Sequence, residues 1–137
     1  MIYIEIISGI WVASAEMIQN KQFLSDNQIG VILNCTQYHD FPNYSCEKIR
    51  LPFSPNSNHE SNLELLKKNK DKILSFIDQY YETKNILIAC YDGKCLSPMI
   101  IALWLLGRSS LNASQITDML QGCCEEFQLW CDLRSFD

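Results

Sequence analysis

One segment constrains this chain more than any other. Asn85 to Ala89 is a continuous apolar run, and it ends at Cys90. Tyr91, Asp92, Gly93, Lys94, Cys95 and Leu96 follow, and Ser97–Pro98 then opens a second apolar run that lasts to Gly107. This order predicts a strand buried on both faces, a loop over 90–96 with a glycine at its centre, and a helix over 97–107. Pro98 fits the first helical turn, where a missing N–H costs nothing. The second run is far shorter than the roughly 20 residues a membrane span needs, so it is expected to be a buried helix. A strand–loop–helix of this kind gathers backbone N–H groups into one concavity at the positive end of a helix dipole. That is an anion cradle, and a cysteine at its base has its thiol pKa lowered by those amides. The plain alternative is a simple βα turn over a buried cysteine, and the loop alone does not choose between them.

The rest of the chain supplies the frame. Ile2, Ile4 and Ile6 alternate with Tyr3 and Glu5 as a strand does, and Trp11 and Val12 continue or pair with it. Ser14 is placed to cap a helix from Ala15 to about Leu24. Gly30 to Cys35 reads as a buried strand, 36–45 as a loop, and Cys46 to Phe53 as a further strand. Ser54 to His59 is dense in turn formers. From Glu60 to Thr83, Leu63, Leu66, Ile73, Phe76, Ile77 and Tyr80 recur at helical spacing. Asn112 can cap a last helix through Leu120 and beyond. The order β-α-β-β-α-β-α-α predicts an α/β fold, a mostly parallel central sheet flanked by helices on both sides. The 137 residues suit one domain, 1–137, with a substantial core.

Composition removes several functions. The chain is 47% hydrophobic and 20% charged, which excludes a disordered class. Its net charge of −5 argues against a nucleic-acid or anionic-membrane partner. Lys67, Lys68, Lys70 and Lys72 lie mainly off the apolar stripe and read as a solvated helix face. The seven cysteines (Cys35, Cys46, Cys90, Cys95, Cys123, Cys124 and Cys131) form no CxxC pair, and His39 and His59 lie near no cysteine pattern. No metal or other cofactor is therefore expected. The apolar N-terminus carries Glu5 and no basic region, unlike an export signal. Reduced thiols and a cytoplasmic location are the corresponding expectation.

Across residues 2 to 122 the sequence resembles the cysteine-dependent dual-specificity protein phosphatases, of the phosphotyrosine protein phosphatase II fold type. Their signature, HCxxGxxRS with Pro and an apolar helix behind it, is similar to Ala89–Cys90–Tyr91–Asp92–Gly93–Lys94–Cys95–Leu96–Ser97–Pro98. Ile10 to Ala15, the strand Ile29 to Thr36, Ile49 to Phe53 and the helical stretch Lys72 to Tyr81 match other segments of the family. The tail, 123–137, does not match its usual ending. The resemblance implies a thiolate at Cys90 that attacks phosphorus, a phosphate loop over 91–97, and a Ser97 hydroxyl that assists thiolate departure. Ser97 as a plain helix N-cap is the competing assignment.

Departures from the pattern weigh more. The signature histidine is Ala89, the signature arginine is Leu96, and Pro55 falls where the general acid would stand. No Asp or Glu lies between Arg50 and Glu60, and Asp40 is too early. Leucine offers none of the bidentate grip of a guanidinium on phosphate, and a missing general acid typically costs about 10²–10⁴ in rate. Lys94 could lend a point charge, or it and Asp92 could face solvent and pair with each other. Arg108 is too far along its helix to reach the loop, and Arg50 reads as a surface strand residue. The resemblance also raises a disulfide from Cys90 to Cys35 or Cys95, against free buried thiols. In the tail, Cys123 and Cys124 with Phe127, Trp130 and Phe136 either pack on the core or form a contact patch. The expected function is a catalytically impaired phosphatase-like protein, a pseudophosphatase. It would bind a protein partner, a phosphoprotein among the candidate classes, with a homo-oligomer as a further option. The alternative is a slow or atypical protein or phosphoinositide phosphatase using Cys90 and Lys94.

Overall fold

The computed structural model describes residues 3–56, 60–129 and 133. The turn residue His59, together with Ile2, Trp130, Cys131 and Phe136, lies outside them. The strands are β1 (Tyr3–Ile7), β2 (Ile10–Ser14), β3 (Ile29–Asn34), β4 (Glu47–Arg50) and β5 (Asn85–Cys90). They form one sheet in the order β1-β2-β5-β3-β4. β1 and β2 make an antiparallel hairpin, so Trp11 and Val12 pair with the first strand rather than continue it. Every other pairing is parallel. β5 is central, with Leu87 opposite Trp11 on one side and Ile32 on the other.

The continuous apolar sequence of β5 follows from that central place. Ile86, Ile88 and Cys90 enter the large core with α2 (Glu60–Tyr80), α3 (Leu96–Arg108) and α4 (Ala113–Cys123). Leu87 and Ala89 enter a smaller core formed with Met17, Ile18, Phe23 and Leu24. The two layers fit the expected helix-covered parallel sheet.

Several boundaries differ from the sequence expectation. The single helix over 15–24 is instead a 3-10 turn, Ala15–Gln19, followed by α1, Lys21–Asp26. Asn20 makes the break: its side chain accepts the Phe23 N–H at 3.0 Å, because a short amide satisfies a helix start better than a helix interior. Ser14 is not a side-chain cap; its hydroxyl donates to Glu16. β4 ends at Arg50, since beyond it Phe53 N–H turns back to the Leu51 carbonyl at 2.8 Å. α2 stops at Tyr80, whose carbonyl accepts the N–H groups of Thr83 and Lys84. Asn112 caps α4 as expected, in a reciprocal box with Gln115. No described helix is long and apolar enough to cross a membrane.

Candidate active site

β5 delivers Cys90 to the C-terminal edge of the sheet, and α3 begins six residues later. Gly93 fixes the path of the loop between them. Its φ is +74°, and a Cβ there would stand 2.8 Å from the Ala13 carbonyl carbon and the Ser14 nitrogen. Only glycine offers both the left-handed backbone and the close approach to β2. Tyr91 ties the loop sideways. Its hydroxyl donates to the Phe53 carbonyl at 2.6 Å and accepts the Gln37 N–H at 2.9 Å. One phenol thus joins the loop to the segments that follow β4 and β3.

The Cys90 sulfur is buried. It lies 3.0 Å from the Ser97 hydroxyl, and the Ser97 N–H points at it from 3.3 Å. Ser97 therefore contacts the thiol, and the helix N-cap is Cys95. Burial raises the thiol pKa above its usual range, and the nearby Asp92 carboxylate adds to the rise. The Ser97 hydroxyl and the N–H groups of Ser97 and Gly93 oppose it without prevailing. This corrects the expectation of a thiol acidified by the cradle: amides stabilise a thiolate, but here desolvation outweighs them.

Each neighbour of the thiol has a definite place. Ala89 faces the smaller core, away from the Cys90 layer. Leu96 is 3% exposed and packs in the large core, so position 96 holds no charge and no socket open to solvent. Asp92 and Lys94 do not pair with each other by their side chains. The Asp92 carboxylate curls inward, accepting the Lys94 N–H at 2.9 Å and lying 3.9 Å from the Cys90 sulfur. The Lys94 ammonium instead meets Glu126 at 3.0 Å, and that contact leads in raising its pKa. The tail reinforces this arrangement, because Gln128 N–H donates to the Lys94 carbonyl at 2.9 Å and Phe127 is buried in the large core. The contact-patch option for Phe127 is thereby removed.

Pro55 is exposed on the segment after β4, and that segment is held by a residue the sequence reading passed over. Asn62, 1% exposed on α2, accepts the Ser54 N–H at 2.7 Å and donates to the carbonyls of Ser54 and Asn56. Its signal was a polar residue on the apolar stripe it shares with Leu66, Ile73 and Ile77. Arg50 is no bland surface residue. Its guanidinium donates to the carbonyls of Thr36 and His39 and lies over Phe41, stapling the loop after β3. Arg108 pairs with Asp78 at the far end of α3. Cys35 directly follows β3 beside β5, its N–H donating to the Ala89 carbonyl. Burial, with the adjacent Cys90, raises the Cys35 pKa well above the usual thiol range. Cys35 and Cys90 carry free thiols, so neither disulfide raised for Cys90 is formed. Among the described residues no group of His, Cys, Asp and Glu is arranged to hold a metal ion.

No protein-family model and no curated protein matches the chain. Solved structures do. The human tyrosine phosphatase-like serine/threonine/tyrosine-interacting protein superposes with a TM-score of 0.83, covering 98% of this chain and 94% of its own at 13% identity. The chain has the dual-specificity phosphatase fold. DUSP15 superposes with a TM-score of 0.83 at 13% identity, covering 97% of this chain and 83% of that one. A leucine-rich-repeat and phosphatase-domain protein from Entamoeba histolytica is 19% identical, with a TM-score of 0.78 over 98% of this chain and 89% of its own. At such identities the dual-specificity phosphatase fold is what is shared, and function has to be argued from the site.

Proposed function

We propose that this dual-specificity phosphatase fold no longer turns over phosphoesters and serves as a regulatory module that binds a protein partner inside the cell. The observation that carries the reading is Leu96, buried in the core where the fold's signature calls for arginine. Phosphoryl transfer depends on fixed positive charge and donors around the equatorial oxygens. Here the one basic side chain of the loop is drawn onto Glu126. A neutral Cys90 thiol and the exposed Pro55 in place of a carboxylic acid weaken the other two steps. The free thiols suit a reducing compartment. A structural neighbour described as phosphatase-like and as an interacting protein fits the same reading.

One feature favours a slow phosphatase: the Cys90–Ser97 contact is intact at 3.0 Å. Hydrolysis of an aryl phosphate by the full chain and by Cys90→Ser decides between the two. The module reading expects both rates at background. Turnover by the native chain that vanishes in Cys90→Ser would overturn it and leave an enzyme working through Cys90.

A further inference from the structure

The loop carries its own anion. Asp92 Oδ1 lies 3.9 Å from the Cys90 sulfur and accepts the Lys94 N–H at 2.9 Å. The Lys94 amide is thereby taken by a carboxylate, and the same carboxylate stands beside the sulfur over which an oxyanion would sit. Among the described residues the loop offers no compensating cation: position 96 is leucine, and Lys94 is paired with Glu126 while the Gln128 N–H fixes its carbonyl. A second anion placed there would meet a like charge at contact range. Repulsion by one unit charge about 4 Å away weakens binding about fivefold even at the dielectric of water, and more for a dianion.

We propose that Asp92 is a specificity-determining residue which, as an internal ligand of the amide loop, makes this site reject phosphate and related oxyanions. This deepens the module reading and rests on it: a phosphoprotein partner is bound through surfaces other than its phosphoryl group. The resulting site favours neutral or cationic groups of a protein partner, since Lys94 offsets Glu126 and the Asp92 charge is left beside the sulfur.

The test is titration of the full chain with inorganic phosphate and with tungstate, followed calorimetrically. Native protein is compared with Asp92→Ala, which empties the position, and Asp92→Asn, which keeps an acceptor but removes the charge. Asp92 is exposed and Asp92→Asn keeps the acceptor for the Lys94 N–H; circular dichroism and the melting temperature of each variant show that the fold is retained before titration. Asp92→Ala is expected to bind both oxyanions about tenfold or more tightly than the native chain, with Asp92→Asn between them. The proposal is overturned if all three bind within about threefold of one another, or if none shows detectable binding, or if the native chain is the tightest. A second readout is alkylation of Cys90 by iodoacetamide, resolved by mass spectrometry. It should quicken in the isosteric Asp92→Asn, because a negative charge beside the sulfur is gone; a turn-forming role alone would leave it unchanged. Cys90-dependent turnover would sink the module reading by itself, whereas unchanged oxyanion affinity in Asp92→Ala sinks only this inference.

Discussion

Replacing Gly93 by alanine tests how tightly the loop is bound to the sheet. At φ +74° an alanine pays the left-handed penalty, about 1–2 kcal/mol. Its Cβ would also stand 2.8 Å from two backbone atoms of β2 and 3.2 Å from the Ala13 oxygen. Those neighbours belong to a paired strand and cannot turn aside as a flexible side chain would. Crowding of that kind costs about 1–3 kcal/mol. The stiffer unfolded chain offsets about 0.4–1 kcal/mol, leaving a net loss of about 1–5 kcal/mol. Urea unfolding reads it as a lower midpoint at unchanged slope. Tryptophan emission is a suitable probe because Trp11 and Trp104 report from the two different cores. Gly93→Asn separates the contributions, since asparagine tolerates the left-handed backbone but still carries the Cβ. A loss below about 0.5 kcal/mol in Gly93→Ala would refute the close approach, as it lies within the range of an ordinary surface substitution.

Other perturbations probe the supports of the site. Asn62→Ala removes three hydrogen bonds at 2.7, 3.1 and 3.0 Å. At about 1 kcal/mol each, discounted because water reaches the Asn56 end, the expected loss is about 1–3 kcal/mol. Hydrogen exchange at the Ser54 amide should accelerate with it; unchanged protection would show that the segment does not depend on Asn62. The buried thiols set a pH dependence. Cys90 and Cys35 have folded pKa values raised above the unfolded range of about 8.5, so their contribution is complete at neutral pH. As pH rises past the unfolded value, the unfolded chain loses those protons first, and stability falls by about 1.4 kcal/mol per pH unit for each thiol until the folded values are reached. Melting temperature against pH measures this, and the alkaline slope should flatten in Cys35→Ala with Cys90→Ala.

Features with strong local rules were legible in the sequence. The apolar run of β5, the Asn112 cap and the glycine-centred loop each answer to a periodicity or a backbone constraint within a few residues. What was missed depends on partners far along the chain. Tyr91 finds Phe53 and Gln37 across separations of 38 and 54 residues, and no local pattern marks such a pairing. The acidity of Cys90 was misjudged for a related reason. The cradle amides are local and visible in the sequence, whereas the burial that outweighs them is a property of the packed whole. Glu126 reaching Lys94 likewise required the tail to fold back, in a stretch with no family pattern to guide the expectation.

These long-range ties also hold the loop in shape. Tyr91 anchors its start, Gly93 lies on β2, and the Lys94 carbonyl receives the tail. None of these contacts needs a phosphate or a guanidinium. Leu96 then completes the large core beside Met99 and Ile100. Returning a cation to that position would place it among apolar side chains with no countercharge, a cost the present leucine avoids. On the proposed reading the same residue withholds a grip on phosphate while it adds to the core. On that reading, building such a grip would require position 96 to leave the core and Asp92 to move from beside the sulfur, so packing as well as chemistry stands against it.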